Sequence, residues 1–177
     1  MIESERLILR GWIGSDRAPF HAMGNDALVM EYLGPPQSIE DIDAAMARQN
    51  GLLADVGHCF WAIERKGDGA FLGFCGIKPG AVGTPIEGRI EIGWRLGSAH
   101  WGKGYAREAA EASLGWGWAN LDVDSIWAIT VLGNLRSWGL MERLGMTRHP
   151  ELGFDHPQPD LDPRLVPHIT YSMGRPA

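Results

Sequence analysis

The sequence predicts a mixed α/β fold, formed as one domain by all 177 residues. Three observations predict it. The segment 89–96 alternates apolar and polar side chains, as a half-buried strand does. Two apolar runs flank the turn Lys66-Gly67-Asp68-Gly69, which is typical of a β-hairpin. Other segments carry helix signals, with Ser38 as an amino-terminal cap and Gly145 as a carboxy-terminal cap. No linker, internal repeat or low-complexity tract divides the chain.

The elements follow in chain order from these signals. Predicted strands are short apolar or alternating runs; they cover residues 7–10, 59–64, 71–77, 89–96, 126–131 and 166–173. Predicted helices are a short one from residue 16 and three longer ones at 38–54, 104–120 and 135–144. The segment 79–88 is rich in glycine and proline and is predicted to be a loop. The stretch 150–167 holds five prolines, so we expect an ordered loop or insertion there.

The composition is that of an ordinary globular protein, with 45% apolar and 21% charged residues. The net charge of −6 argues against a general attraction to nucleic acid or to an anionic membrane, and slightly favours a cationic substrate such as an amine. The amino terminus is charged, and no apolar run approaches the roughly 18 residues that span a bilayer. We therefore expect a cytoplasmic protein. The two cysteines and six histidines lack ligand spacing, so no metal site is expected.

The segment 97–109 joins the alternating strand to the next helix. At such a junction several backbone N–H groups lack partners, and the helix dipole adds partial positive charge. Gly102 and Gly104 let the backbone curl and approach a ligand closely. Together these features predict a cradle for a phosphate or pyrophosphate.

Two general phosphate-binding motifs fit this turn only in part. Gly97-x4-Gly102-Lys103 is nearly a P-loop, but Gly104 stands where a serine or threonine should hold magnesium. Gly102-x-Gly104 begins a dinucleotide fingerprint, but Arg107 replaces its third glycine. The neighbouring strands are also expected to form an antiparallel hairpin rather than a βαβ unit. A glycine-rich turn without any ligand remains the plain alternative.

The turn from Trp101 to Ala109, WGKGYAREA, resembles the coenzyme-A-binding motif of the GNAT acetyltransferase superfamily, and is most similar to the ribosomal-protein N-acetyltransferase branch. The family pattern is Gln/Arg-x-x-Gly-x-Gly/Ala followed by a helix. Gly104 and Ala106 match its small positions, whereas Trp101 departs from its first polar one.

A second segment, residues 134–146, resembles the family's Asn-x-x-Ser element, whose helix ends in Leu-Gly-Phe. Met146 replaces the usual aromatic residue. The two motifs stand in the family's order, and the resemblance extends from Glu5 to Gly145.

The resemblance implies a GNAT-like domain over residues 1–177, with a central, mostly antiparallel sheet and helices on both faces. It implies direct transfer of an acetyl group from acetyl-CoA to a primary amine, on a small molecule or a peptide amino terminus, without a metal. A non-catalytic acyl-CoA-binding or sensor domain of this fold is the alternative. No nucleic acid or membrane partner is expected, and a homodimer stays open. The cofactor-binding residues implied are Trp101, Gly102, Lys103, Gly104, Tyr105, Ala106, Arg107 and Asn134.

The resemblance also suggests two catalytic residues. In relatives the thioester lies along a splayed pair of strands whose N–H groups polarise its oxygen, and several members carry the general base where Glu91 stands. The alternative is a strand face on which Glu91 pairs with Arg89 and Arg95. Ser137 takes from the family the role of the acid that protonates the thiolate. Its alternative is structural, with Asn134 capping the helix and Ser137 completing the first turn.

A third catalytic candidate lies in the proline-rich tail. Asp155 precedes His156, and an Asp–His pair can serve as a base or line the acceptor pocket. The alternative is turn formation beside a surface histidine. No cysteine lies near either motif, so an acetyl-cysteine intermediate is not expected.

Overall fold

A computed structural model describes residues 1–158 and 161–176. Within these ranges eight strands form the sheet; they are β1 (Ile2–Glu3), β2 (Leu7–Arg10), β3 (Phe60–Arg65), β4 (Phe71–Pro79), β5 (Ile90–Leu96), β6 (Ser125–Val131), β7 (Thr147–Asp155) and β8 (Pro167–Gly174). The described helices are α1 (Arg17–Gly24), α2 (Ala27–Met30), α3 (Ile39–Val56), α4 (Tyr105–Asn120) and α5 (Leu135–Arg143). Short 3-10 turns lie at Gly14–Asp16, Ser98–His100 and Pro163–Leu165.

The sheet has the order β1-β2-β3-β4-β5-β6-β8-β7. Every neighbouring pair is antiparallel except β5 and β6, which run parallel. The predicted mostly antiparallel sheet is therefore confirmed. The strands beside the glycine-rich turn are, however, not only a hairpin. β5 pairs antiparallel with β4, but α4 is the crossover that a parallel β5–β6 pair requires. The dinucleotide interpretation is thus opposed by Arg107 alone.

Helices cover both faces of the sheet, as predicted. On β3, Trp61 and Ile63 are buried in a cluster that includes Ala110 of α4. The intervening Ala62 points the other way and is buried with Phe20 of α1 and Ile42 of α3. Successive side chains of a strand point to opposite faces, so this alternation separates the two helical layers.

Local signals account for the helix boundaries. The Ser38 hydroxyl accepts a hydrogen bond from the Asp41 N–H at 3.1 Å, and the Asp41 carboxylate accepts one from the Ser38 N–H at 2.8 Å. This capping box satisfies two N–H groups at the start of α3. Gly57 ends α3 in the left-handed conformation, and Gly145 does the same after α5.

The prediction of a loop over 150–167 is wrong for its first part. Strand β7 extends to Asp155 and pairs antiparallel with β8. Pro150 cannot donate to a ladder, but β7 is an edge strand and its register shifts between His149 and Phe154. An edge position and an irregular register are the places where a strand tolerates proline. Residues 159–160 of this stretch lie outside the described residues. The sequence analysis also missed β1 and α2.

No helix in the part of the chain that the structure describes is long and apolar enough to cross a membrane.

Candidate functional site

A large cavity opens where β5 and β6 separate. The two strands pair at only two positions, beginning with Ile90 opposite Ile126, although β5 continues to Leu96 and β6 to Val131. A cavity of about 800 Å³ lies beyond the paired part, a volume typical of ligand sites. It is lined by the end of β5, the turn before α4, the first turns of α5, and α2 with the residues after it.

The turn before α4 presents unpaired backbone N–H groups. Gly102 and Gly104 have φ values of 72° and 81°, which an L-residue with a side chain adopts only under strain. Among the described residues no backbone acceptor bonds the N–H groups of residues 102–107; the first bond of this kind runs from Glu108 N–H to the Gly104 carbonyl. These orphan donors at a helix start are free to bind a ligand, as the cradle proposed from the sequence requires.

Hydrogen bonds to β5 and to the amino-terminal residues hold this turn in place. The indole N–H of Trp101 donates to the Leu96 carbonyl at 2.8 Å, and Arg6 Nη1 donates to the Lys103 carbonyl at 3.1 Å. Glu108, in the first turn of α4, accepts hydrogen bonds from the Arg6 N–H and from the Ser4 hydroxyl, both at 2.7 Å. The turn is therefore fixed before any ligand binds, which lowers the entropic cost of binding. Sequence analysis did not identify this anchor.

The pKa of Glu108 reflects the same contacts. Burial acts to raise it, but the hydrogen bonds from Arg6 and Ser4 outweigh burial and leave the pKa below its ordinary value. The carboxylate is thus kept ionised as an anchor at the positive end of the helix dipole.

The cavity is cationic although the chain is acidic overall. Arg95, Arg107, Arg136 and Arg143 line it, and no aspartate or glutamate does so among the described residues. The guanidinium of Arg136 lies 4.7 Å from the ring centre of Trp101. Such a lining favours a ligand with several negative charges, because guanidinium groups bind phosphates with charge-assisted hydrogen bonds.

The start of α5 supplies the opposite wall. Asn134 Oδ1 accepts a hydrogen bond from the Ser137 N–H at 3.2 Å, so Asn134 does cap the helix as the structural alternative expected. Both residues also line the cavity. The Ser137 hydroxyl has no protein hydrogen-bond partner within the described ranges, and it is available to a ligand.

Glu91 is charge-paired, though not with the arginines of its own strand. Its carboxylate accepts a hydrogen bond from Lys78 Nζ at 2.5 Å, and the two side chains are only 12% and 20% exposed. Lys78 lies directly opposite on β4. Arg89 instead stacks over the Trp127 ring at 3.8 Å. The structural alternative, a strand face with paired charges, thus has Lys78 rather than Arg89 or Arg95 as the partner of Glu91, and Glu91 itself does not line the large cavity.

Asp155 lies apart from the other candidates. It is exposed on the edge strand β7, and β8 and β6 lie between that strand and β5. Its neighbour His156 packs its ring 4.8 Å from that of His168 rather than reaching the cavity. Asp155 is therefore separated from the cavity at β5 by the width of two strands. Lys103 is also outside the lining, with Nζ donating to the Ala99 carbonyl at 2.8 Å.

The structure therefore brings together most of the residues that the sequence predicted. Those that line the large cavity are Trp101, Gly102, Gly104, Tyr105, Ala106, Arg107, Asn134 and Ser137.

A second cavity, of about 450 Å³, was not anticipated. The rings of Trp12, Phe20, Phe60 and Phe74 form its walls, and Arg95 lines both cavities. The alternation of β5 placed Arg95 on the polar face, but nothing in the sequence signalled that aromatic residues from β3, β4 and α1 would enclose it. Among residues 1–158 and 161–176 no group of three or more His, Cys, Asp or Glu side chains could hold a metal ion.

The chain is similar to a family of acetyltransferases and to relatives whose function is not characterized. The model of the acetyltransferase (GNAT) domain family matches residues 6–147. The uncharacterized protein YkkB of Bacillus subtilis (strain 168) is 32% identical over 148 residues, which cover 81% of this chain and 83% of YkkB. The GNAT-family acetyltransferase from Bacillus anthracis superposes with a TM-score of 0.80 at 24% identity, covering 98% of both chains.

Two further solved structures share the fold at lower identity. The spermidine N-acetyltransferase from Vibrio cholerae, solved with CoA and spermine, has a TM-score of 0.72 at 18% identity and covers 97% of each chain. The ribosomal-protein-S5-alanine acetyltransferase from Vibrio fischeri has a TM-score of 0.73 at 16% identity, covering 98% of this chain and 95% of its own.

The family match includes both walls of the large cavity, the cradle at 102–107 and the start of α5 at Asn134. The segment that forms the site is thus the segment that carries the family relationship. This chain belongs to the GNAT family and is an acetyltransferase.

Proposed function

We propose that this chain binds acetyl-CoA in the large cavity and transfers its acetyl group directly to a primary amine. One observation carries the proposal: two helix starts converge on a cavity at the open end of a parallel strand pair, and its described lining holds four arginines and no acidic residue. Free N–H groups and guanidinium groups are the donors that a pyrophosphate requires.

The described residues fit the proposed co-substrate. The N–H groups of residues 102–107 would hold the pyrophosphate, with Arg107, Arg136 and Arg143 supplying positive charge. The Asn134 amide nitrogen is free to donate to the pantetheine arm because only its oxygen is used in the helix cap. Beyond its pairing with Ile126 and Trp127, β5 leaves backbone groups open along the cavity.

Acetyl-CoA supplies the activated acetyl thioester. The chain's own groups would then move two protons while the amine nitrogen forms a bond to the acetyl carbon and the carbon–sulfur bond breaks. Ser137 lines the cavity with a free hydroxyl and is the proposed donor of a proton to the departing thiolate. Glu91, beside the second cavity through Lys78, is the proposed acceptor of the amine proton by way of water.

Direct transfer fits the positions of the two cysteines. Cys59 and Cys75 are both fully buried in the core below α4, and neither lines a cavity. A covalent acetyl-cysteine is therefore not part of the proposal. The acceptors named for neighbours of this fold, spermidine and a ribosomal-protein amino terminus, define the two classes to be tested here: a small amine and a peptide amino terminus.

Binding can be tested by titrating the purified protein with acetyl-CoA while tryptophan fluorescence and thermal melting are followed. At 100 times the dissociation constant, a ligand stabilises the native state by about 2.7 kcal/mol. For a chain of this length that corresponds to a rise in Tm of about 5–11 °C. ATP with magnesium and NAD serve as controls. Stabilisation by those ligands but not by acetyl-CoA would refute the proposed site.

Catalysis is tested by amine-dependent thiol release from acetyl-CoA. We expect Ser137→Ala and Glu91→Gln each to lower kcat by about 100-fold or more, as loss of an acid or base does, without changing the dissociation constant for acetyl-CoA. Glu40→Gln, at an exposed position on α3, is the matched control. Binding of acetyl-CoA without thiol release from any amine would favour the non-catalytic acyl-CoA sensor instead.

A further inference from the structure

Arg95 is a cation without a counter-ion. Its Nη1 donates to Gln37 Oε1 at 2.8 Å and lies 3.9 Å from the sulfur of Met30. Its Nε is buried and has no hydrogen-bond partner, and no carboxylate forms an ion pair with it, in the part of the chain that the structure describes. Burial without a neighbouring acid lowers the pKa of Arg95 to about 10, so the group remains charged at neutral pH. A buried charge left unpaired is costly, which indicates that a bound ligand completes it.

The second cavity has the chemistry of a site for an apolar anion. Arg48, Lys78 and Arg95 line it, and no described lining residue is acidic. The rings of Phe60 and Phe74 stack at 5.6 Å between centroids with only 12° between their planes, forming a flat apolar wall. Lys78 is paired with Glu91, so Arg48 and Arg95 dominate the charge, and a polyamine would find no acidic residue in the described lining. The slight preference for a cationic substrate drawn from the overall charge of −6 therefore does not hold locally.

The orientation of Arg95 is set by its contacts with Phe74 and Gln37, in addition to Met30. The guanidinium lies 5.4 Å from the ring centre of Phe74, its cross-strand neighbour on β4. Gln37 is held by its own N–H, which donates to the Gly24 carbonyl at 3.1 Å. A Cβ at Gly24 would lie 2.8 Å from Gln37 Oε1, so only glycine lets Gln37 approach as closely as it does. The cation is thus positioned at the junction of the two cavities before a ligand binds.

We propose that the second cavity binds the acceptor and that Arg95 selects an amine carrying a carboxylate on a small apolar or aromatic body. This inference rests on the proposed function, since it assigns the acceptor of the same transfer. The volume of about 450 Å³ suits a small aminocarboxylate, and the aromatic walls suit its apolar part. Arg95 is then a specificity-determining residue. It lines both cavities, so the acceptor would lie next to the polar groups of the large cavity.

The test compares matched acceptors in the thiol-release assay. Phenylalanine, tryptophan and leucine are each compared with their own carboxamide, and spermidine represents the polyamines. The amide has the less basic amine and so more free amine at neutral pH, which means that a preference for the acid cannot come from intrinsic reactivity. We expect the best acid to exceed its amide by about 10-fold or more in kcat/KM, the effect of one charged hydrogen bond.

Variants then assign the preference to Arg95. Arg95→Gln is expected to raise KM for the acid by about 10- to 100-fold, leaving the amide unchanged. Arg95→Lys, which keeps the charge but not the planar donor pair, should retain part of the preference. Arg148→Gln, at an exposed position on β7, is the control. All variants should still be stabilised by acetyl-CoA, because the pyrophosphate is assigned to the N–H groups of residues 102–107 with Arg107, Arg136 and Arg143; this thermal shift reports folding and cofactor binding separately from acceptor choice. A second thermal shift, with the acid added to the CoA-bound protein, should be lost in Arg95→Gln without any need for turnover.

The outcomes separate the two claims. If acetyl-CoA stabilises the protein but amides or spermidine are used as well as every acid, or if Arg95→Gln weakens acids and amides equally, the assignment of Arg95 is wrong and the acetyltransferase site stands. If acetyl-CoA neither stabilises the protein nor releases thiol with any amine, the proposed function is wrong and this inference falls with it.

Discussion

Substituting Gly104 by alanine tests whether the turn before α4 is the phosphate cradle. Gly104 has a φ of 81°, and a Cβ placed there would lie 3.3 Å from Arg6 Nη2, the guanidinium that anchors the turn. A left-handed conformation costs an alanine about 1–2 kcal/mol. The lower entropy of the unfolded variant offsets about 0.4–1 kcal/mol of this. We therefore expect the ligand-free variant to be less stable by about 1 kcal/mol, a fall in Tm of about 2–4 °C.

The larger effect is expected on ligand binding. If the backbone relaxes out of the left-handed region, the N–H groups at the start of α4 turn away from the cavity. Loss of one hydrogen bond to a charged group, about 1.5–3 kcal/mol, raises the dissociation constant for acetyl-CoA about tenfold or more. At a concentration that is 100 times the wild-type dissociation constant, the stabilisation then falls from about 2.7 to about 1.4 kcal/mol. The acetyl-CoA-induced rise in Tm should accordingly fall to about half.

Gly115→Ala is the matched control for this experiment. Gly115 lies on the exposed side of the same helix, and a Cβ there meets nothing within 4 Å. Because alanine is the better helix former, this variant should be more stable by about 0.5–1 kcal/mol and respond normally to acetyl-CoA. Isothermal titration and thermal melting measure both quantities. A wild-type acetyl-CoA response in Gly104→Ala would refute the assignment of this turn.

Three further predictions concern stability and reactivity. Asp16 is 1% exposed and accepts two hydrogen bonds from the Arg10 guanidinium, so Asp16→Asn should cost about 3 kcal/mol in urea unfolding; a loss below about 1 kcal/mol would contradict this. Burial raises the pKa of Cys59 and Cys75 to about 12, so native protein should resist a thiol reagent at about pH 8 and react only when unfolded. Burial, assisted by nearby cations, lowers the pKa of His100, so the unfolded state binds the proton more readily. Stability should therefore fall as pH drops below about 6.5, and His100→Gln should reduce that fall.

The elements that were predicted correctly are those whose signals come from residues close together in the sequence. The alternation of residues 89–96, the cap at Ser38 and the glycine at 145 each depend on residues within a few positions, and β5, α3 and α5 follow from them. Strand β7 was missed because prolines normally exclude a strand. Its pairing depends on its place at the edge of the sheet, which is set by the rest of the fold.

In the candidate site, too, the features set by local sequence were predictable and those set by strand pairing were not. The cradle was predictable because glycines and a helix start are adjacent in sequence. The partner of Glu91 was not, because Lys78 reaches it through the register of β4 against β5. The same register places Phe74 beside Arg95 and so creates the second cavity. Cross-strand neighbours of this kind depend on long-range pairing, which residue spacing along the chain does not specify.

The parallel pair β5–β6 accounts for the position of the whole site. Because the two strands run in the same direction, their carboxyl ends lie side by side at the same end of the strands. Each strand then leads through a turn into a helix. The amino-terminal ends of α4 and α5 therefore face the same cavity, each with donors that the helix leaves unpaired. If β6 ran antiparallel to β5, the helix that follows β6 would begin at the other end of the strands. Since Arg95 lies at the same end of β5 and lines both cavities, the cavity proposed for the acceptor adjoins the one proposed for the acetyl donor where the strands separate.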